Sequence, residues 1–450
     1  MPKALLLENI HPLATQYLRD RGFDVITSNG AMDEDELIEA LDDVDLLGVR
    51  SKTNVTRRVL EARPNLTAVG CFSIGTNQVD LDYAAQHGIA VFNAPYSNTR
   101  SVVELVISNI IALERRVPAH TKAIRDGVWS KTAKQSHEVR GKTLGIIGYG
   151  NIGTQVSVLA EAMGMSVIYY DIEEKLAMGN ARRAFDVEDL LRESDVVTVH
   201  VDGRKSNTNF IDDEKLSLMK PGALFINLSR GFVVDCDALY NHLKSGHLGG
   251  AAIDVYPTEP KKVGDPFHTK LAEIDNVVLT PHIGGSTLEA QESIGRFVSH
   301  KLFEYWMHGE TSLSVNMPTI TIKQNKGVAR ITHLHVNLPG VLAQLNNILS
   351  AENINISAQY LATEDDLGYV VTDVATHPSP KAIEEIKNNK GTIRVRILDY
   401  STAAFCGAAP SNWCQATTER STTSGSCHDG LRCADHGADY SVQITVQITA

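Results

Sequence analysis

The chain has 450 residues, 43% of them apolar and 21% charged, with a formal net charge of −12. This length and composition predict two or three soluble globular domains. The acidic balance excludes a general nucleic-acid binder, which needs a basic face, but leaves room for a small anion held by a local cluster of Arg and Lys.

The N-terminus, MPKALLLENI, has only a short apolar run before Glu8 and no signal-peptide pattern, so a cytoplasmic protein is expected. Residues 4–7 predict a strand, 11–22 a helix stopped by Gly22, and 23–27 a strand. A helix over 33–42, a strand at DLLGVR, a helix at 56–62 and a strand at LTAVGC continue the alternation. Such alternation implies a parallel sheet with helices on its faces. The stretch 101–116 contains Glu104 and is too short to span a bilayer, so a core or interface helix is expected and no membrane partner.

A second alternating block has near-continuous apolar strands at 143–148, 166–171, 195–201, 223–229, 250–256 and 276–282. Strands buried on both faces have this composition. A helix over roughly 287–308 is expected to return the chain to the first sheet. From about residue 328 the order becomes β-α-β-β-α-β, the split arrangement of a ferredoxin-like module. KQNKG (323–327) is a polar candidate hinge. The fold class is therefore α/β, with two doubly wound, Rossmann-like parallel-sheet domains and a C-terminal ferredoxin-like domain. The expected divisions are 1–97 and 286–326 for a substrate-binding domain, 98–285 for a dinucleotide domain, 327–400 for the small module and 401–450 for a tail.

That tail is rich in Ser, Thr, Ala and Cys and has no amphipathic period, so no structure is expected of it. Four of the six cysteines lie there; Cys71 and Cys236 stand singly in the main body. No disulfide framework is expected without an export signal. His428 and His436 near Cys427 and Cys433 match no standard zinc spacing, and no metal is expected.

GYGNIG (148–153) matches G-x-G-x-x-G between a strand and a helix. Gly148 allows the tight turn, Gly150 the approach of a pyrophosphate, and Gly153 close helix–strand packing. The helix N-terminus offers free N–H groups to the anion. Asp171 ends the next strand, eighteen residues beyond Gly153. A carboxylate there accepts ribose hydroxyls and repels a 2′-phosphate, which favours NAD over NADP.

Ligands of open parallel sheets bind beyond the carboxyl ends of the strands. Arg230 follows ALFINLS, Asp254 stands at the end of the strand GAAIDVY with Glu259 just past it, and His282 follows VVLTP. On successive strands these residues are expected to converge. The chemistry suits oxidation of a 2-hydroxy acid: histidine as base, a carboxylate to fix its tautomer, and arginine for the substrate carboxylate. Taken singly, each has an equal bland reading as surface charge or turn residue.

Several motifs together resemble the D-3-phosphoglycerate dehydrogenase family of the D-isomer-specific 2-hydroxyacid dehydrogenases, in its bacterial type with one C-terminal ACT domain. They are RSKT (50–53), SIGTNQVD (73–80), NAPYSNTRSVVEL (93–105), GYGNIG, NLSRG (227–231), AAIDVYPTEP (251–260), TPHIGGST (280–287), NLPGVL (337–342) and NINISAQYL (353–361). The likeness covers about residues 1–399. It implies His282 as catalytic acid/base, Glu259 as its partner and Arg230 on the substrate carboxylate. It places NAD against Gly148, Gly150, Asn151, Ile152, Gly153, Asp171, Leu228, Ser229, Arg230, Asp254, His282, Gly284 and Gly285. Arg50, Ser51, Asn98 and Gln291 are implied on the substrate, 3-phosphoglycerate.

The resemblance further implies L-serine as feedback effector. His335 and Asn337 would lie in the loop after the module's first strand, with Asn355 supplied by a neighbouring subunit. It also implies a homodimer or homotetramer, with Trp129 packing across an interface; the alternative for Trp129 is the core. The family's Asn-Arg-Pro-Gly reads Asn-Leu-Pro-Gly here, with Leu338, and its double-glycine hinge retains only Gly327. Reduction of 2-oxo acids such as 2-oxoglutarate is a second implied activity. Two rivals stand: a dehydrogenase for glycerate, lactate or a similar D-2-hydroxy acid, and a non-catalytic NAD-sensing binding protein.

Overall fold

Five short apolar runs of the first 92 residues pair in parallel: β1 (Lys3–Leu6), β2 (Asp24–Thr27), β3 (Leu46–Val49), β4 (Ala68–Cys71) and β5 (Ala90–Phe92). Their order is 2-1-3-4-5 in this computed structural model, which describes residues 1–260, 264–322 and 328–400. The candidate hinge with Gly327 and the tail from residue 401 lie outside the described residues. β3 and β4 are buried along their whole length, as strands covered on both faces must be. The sheet changes its direction of growth between β1 and β3. The crevice where such sheets take ligands therefore opens between the carboxyl ends of those two strands.

Seven strands form the second parallel sheet: β6 (Thr143–Ile147), β7 (Ser166–Tyr170), β8 (Arg182–Arg183), β9 (Val196–Val199), β10 (Leu224–Asn227), β11 (Gly250–Ile253) and β12 (Val277–Leu279). Their order is 12-11-10-9-6-7-8, with the crossover between β6 and β9. The strands expected from the sequence are present but shorter. The run 276–282 contributes only β12, because His282 leaves the extended conformation at φ 55° and bonds its N–H back to the Asp254 carbonyl at 2.8 Å. The Thr99–Glu114 helix sinks Val102, Val103, Val106, Ile110 and Leu113 into the core of this sheet. Among the described residues no helix is long and apolar enough to cross a membrane.

The Leu288–His308 helix starts on a Thr287 cap and packs Ile294, Val298, Leu302 and Tyr305 against Ala4, Leu46, Ala68 and Phe92 of the first sheet. The contact is close enough to need glycine. A Cβ at Gly70 of β4 would lie 2.7 Å from Val298 and 2.8 Å from Leu302.

The last sheet is antiparallel: β13 (Ala329–Val336), β14 (Ile356–Glu364), β15 (Leu367–Val374) and β16 (Thr392–Asp399), in the order 14-15-13-16. The helices Val341–Ala351 and Pro380–Lys387 cover one face through Leu345, Leu349 and Ile386. Leu334, Tyr369 and Val371 join the first sheet's core instead. This module also caps the Leu288–His308 helix. A helix ends with carbonyls that lack intrahelical partners. Here Arg396 donates to Tyr305 O and Trp306 O, Tyr400 to Met307 O, Arg330 to His308 O, and Tyr369 to Gly309 O, at 2.7–3.1 Å. Arg330 is itself held by Asp373 in a fully buried bidentate pair, at 2.6 and 3.0 Å.

Candidate active site

Three successive strand ends of the seven-stranded sheet supply the central group. After β10 the chain turns sharply. Asn227 Oδ1 accepts the N–H and hydroxyl of Ser229, and Asn227 Nδ2 donates to Arg230 O at 3.0 Å. Arg230 Nη1 donates to Ser229 O at 2.8 Å, which orients the guanidinium. Burial lowers its pKa, opposed by the nearby Glu259 and Asp202 carboxylates. Leu228 is buried beneath this turn.

After β11 comes Asp254, 1% exposed. Its Oδ1 accepts the Thr280 hydroxyl at 2.6 Å and the Ile283 N–H at 2.8 Å; Oδ2 accepts the Gly284 N–H at 2.8 Å. The carboxylate thus binds the loop after β12 at three points and bends it around His282. Gly285 lies so near Asn98 that a Cβ there would approach Asn98 Nδ2 to 2.2 Å. Asn98 Oδ1 is buried without a partner among the described residues.

Glu259 Oε2 lies 2.8 Å from His282 Nδ1, and Oε1 accepts the Tyr256 N–H at 3.2 Å. A carboxylate only accepts, so Nδ1 carries the proton and Nε2 presents its lone pair. The hydrogen bond to Glu259 raises the His282 pKa, against the partial desolvation of a ring that is still about half exposed. Burial works to raise the Glu259 carboxyl, but its bonds with His282 and Tyr256 and the Arg230 charge hold it below the usual value.

The dinucleotide-type turn sits at the crossover of the same sheet. Gly148 has φ 93°, and a Cβ there would come within 2.4 Å of His200 O. A Cβ at Gly153 would lie 2.3 Å from Gly148 O. Gly150 differs: a Cβ there would meet no protein atom within 4 Å. Packing explains the first two glycines, whereas the third keeps backbone bare toward open space at the start of the Asn151–Ala162 helix. Asn151 is exposed and Ile152 half-buried. Asp171 accepts the Tyr149 N–H at 2.7 Å and the Glu173 N–H at 2.9 Å, which fixes its carboxylate beside the turn. These residues fit a dinucleotide: an N–H-rich turn, a bare glycine and a carboxylate for a ribose.

Arg50 and Ser51 stand on the other parallel sheet, after β3, and no hydrogen bond joins them to the Arg230–Glu259–His282 group. The loop after β4 lies between. Ser73 Oγ donates to Gly75 O at 2.8 Å and reaches Arg50 O at 3.5 Å. A side-chain carbon on Gly75 would lie 3.6 Å from Arg230 Nη2. Gln291 is half-buried in the first turn of the Leu288–His308 helix.

Two expectations need correcting. His335 is not in the loop after the module's first strand but inside β13, 4% exposed, with Nδ1 against Val336 O and its ring on Gly368. Pairing on both sides, to β15 and β16, carries the strand through it. Trp129 is 83% exposed and so is no core residue of the chain. Asn337 and Asn355 are both exposed. Register puts Ala329 and Ile356 level with Val374, and Val336 level with Leu367. Asn355 therefore lies at the far end of the sheet from His335 and Asn337, roughly 25–30 Å away.

Sequence reasoning passed over His200. It follows β9 at the crossover, its Nδ1 is buried without a partner among the described residues, and burial lowers its pKa to about 3. It also read Asp254 for its place at a strand end and not for the loop it binds, because Thr280, Ile283 and Gly284 lie 26 to 30 residues further on.

Known proteins resemble this chain in sequence and in fold. The model of the D-isomer specific 2-hydroxyacid dehydrogenase NAD binding domain matches residues 107–284, and that of the AHAS small subunit-like ACT domain matches 331–394. D-3-phosphoglycerate dehydrogenase of Escherichia coli is 52% identical over 400 residues, covering 88% of this chain and 97% of that protein. The Haemophilus influenzae protein of the same name is 50% identical over 397 residues, with the same coverage. Among solved structures, D-lactate dehydrogenase from Aquifex aeolicus, complexed with NAD and lactic acid, superposes with a TM-score of 0.59 at 29% identity, covering 68% of this chain and 96% of that one. Identity at this level across almost the full length of the relatives places the chain in the D-3-phosphoglycerate dehydrogenases, within the D-isomer-specific 2-hydroxyacid dehydrogenase family.

Proposed function

We propose that the chain oxidises 3-phospho-D-glycerate to 3-phosphohydroxypyruvate with NAD, the first step of serine synthesis, in the cytoplasm. The observation that carries this reading is the His282–Glu259 pair, set beside Arg230 on three successive strand ends of a sheet with a dinucleotide turn.

His282 Nε2 takes the proton of the substrate's C2 hydroxyl. Glu259 holds the ring in the tautomer that leaves Nε2 free and stabilises the imidazolium that forms. Arg230 binds the substrate carboxylate and polarises the developing carbonyl. Gly148, Gly150, Asn151, Ile152 and Gly153 would hold the pyrophosphate of NAD, Asp171 a ribose, and Leu228, Ser229, Asp254, Gly284 and Gly285 the nicotinamide end. Bound NAD supplies the hydride acceptor. Arg50 and Ser51 take the substrate phosphate, with Asn98 and Gln291 beside them. In this reading 1–97 and 286–326 bind substrate, 98–285 binds NAD and 327–400 regulates. Reduction of 2-oxoglutarate is the second activity.

L-serine is the effector. Asn337 and His335 hold it at one end of the module's sheet, and Asn355 comes from a second copy, because within one chain it stands at the opposite end. The working form is thus a homodimer or homotetramer, in which Trp129 is covered by a partner.

The test is NADH production from 3-phosphoglycerate at mildly alkaline pH, with and without L-serine. Turnover suppressed by serine is expected. Turnover with D-glycerate or D-lactate alone would move the substrate, and tight NAD binding without any turnover would replace the enzyme by an NAD-sensing protein.

A further inference from the structure

The Glu8 carboxylate is 8% exposed and has an unusual set of partners. Oε1 accepts the N–H of Arg50 at 3.2 Å and of Thr53 at 2.8 Å; Oε2 accepts the N–H of Ser51 at 3.1 Å and of Lys52 at 3.0 Å. Four consecutive backbone N–H groups converge on one anion. Such concave runs of N–H are built to hold anions. This one lies between the carboxyl ends of β1 and β3, the crossover of the 2-1-3-4-5 sheet, where doubly wound sheets take their ligands. Here the chain fills the place itself.

The backbone is distorted to do so. Glu8 and the next residue, Asn9, are both left-handed, at φ 60° and 54°, although neither is glycine. Strain of this kind persists where surrounding contacts over-determine it, and it concentrates at functional sites. The other side of Arg50 is also fixed, its carbonyl accepting Gln78 Nε2 and lying 3.5 Å from Ser73 Oγ. In contrast, the half-buried Arg50 guanidinium makes no hydrogen bond or ion pair to the described residues. Both peptides flanking Arg50 are anchored, while its charged end is left for something else.

We propose that Glu8 is a positioning residue for substrate: its carboxylate occupies the N–H nest of residues 50–53 and so aims Arg50 at the substrate phosphate. The inference rests on the reading of Arg50 given above. It has a corollary for that site. With their N–H groups engaged by Glu8, residues 50–53 contribute side chains, not backbone, to phosphate recognition.

The experiment is a double-mutant cycle in the full-length chain, with 3-phosphoglycerate as the varied substrate. Glu8→Gln removes the charge and turns amide hydrogens toward the nest. Its KM for 3-phosphoglycerate should rise roughly tenfold, with kcat within about threefold. Arg50→Ala should raise KM by a similar factor. The double variant should be no worse than Arg50→Ala, within about twofold, because the second change acts only through the first. Glu8→Asp keeps the charge but draws it back from the nest. It should raise KM in the same direction by less, and it carries the cycle if the amide variant does not fold.

Losses that multiply in the double variant, or a fall in kcat at unchanged KM, would reduce Glu8 to a fold staple and overturn the proposal. If Arg50→Ala alone leaves KM unchanged, the reading of Arg50 is what fails, and that result is visible whatever Glu8 does.

Discussion

The loop that carries Arg50 and the loop that carries His282 belong to different sheets, yet a carboxylate from the adjacent strand end pins each of them. Glu8 follows β1 and holds the turn after the neighbouring β3; Asp254 follows β11 and holds the turn after the neighbouring β12. They differ in where the backbone strain sits. At the first loop the pin, Glu8, is left-handed, and Arg50 is not among the left-handed residues. In the second the delivered residue, His282, is left-handed at φ 55°, and its own N–H bonds to Asp254 O. The position of the imidazole is therefore dictated by the pinned backbone, as the proton transfer proposed for it would require. Arg50 projects a long, flexible side chain from a relaxed backbone, which suits binding a phosphate more than reacting with a hydroxyl.

The comparison can be broken most severely at the delivered residue. His282→Ala should lower kcat by roughly 10²–10⁴ while NAD still binds, because only proton transfer is lost. NADH formation and NAD fluorescence titration check the two halves. Near-normal turnover would remove His282 from the chemistry and leave its strained turn without a reason. Next comes the pin. Asp254→Asn keeps the shape but weakens the three bonds that bend the loop, two of them from backbone N–H. A loss of about tenfold to a hundredfold in kcat is expected, since hydrogen bonds to a charged group contribute about 1.5–3 kcal/mol. If Asp254→Asn costs less than Glu8→Gln costs in KM, the strained loop does not depend on its pin more than the relaxed one does.

These two loops also mark what the sequence makes legible. Apolar runs, the glycine turn and the carboxyl-end rule located most of the strands and put Arg230, Glu259 and His282 at adjacent strand ends, but the three-residue β5 and the Arg182–Arg183 strand β8 are too short or too polar to stand out as apolar runs. Glu8 gives no signal, because one acidic residue after a strand is ordinary and its partners lie 42 to 45 residues away. The module's grip on the Leu288–His308 helix did leave a trace. Arg394 and Arg396 stand two apart in the apolar strand TIRVRIL, so both face one way. Arg394 donates to Leu66 O, Gly88 O and Asn65 O, and Arg396 to the helix end. Pattern shows that such a face exists; only the packed structure shows what it meets.

The smallest effect tests the carboxylate that is not a pin. Glu259 is about one-third exposed and spends one oxygen on His282, whereas Asp254 is sealed and spends both on its loop. A charge placed to tune a neighbour should reveal itself in pH dependence more than in rate. Glu259 raises the His282 pKa, so in the oxidative direction, which needs neutral imidazole, activity is gained as pH rises through a value above that of free histidine. In the reductive direction, which needs imidazolium, activity is lost as pH rises through the same value. Glu259→Gln removes the charge and lets the pKa fall. Both limbs should move to lower pH together, with roughly a tenfold loss of kcat at the optimum. General damage to the site would lower both profiles without moving either midpoint. Profiles of kcat/KM in the two directions, wild type against Glu259→Gln, separate these outcomes. Fixed midpoints would class Glu259 with Asp254, as a group that holds the loop and leaves the proton affinity of His282 to its other surroundings.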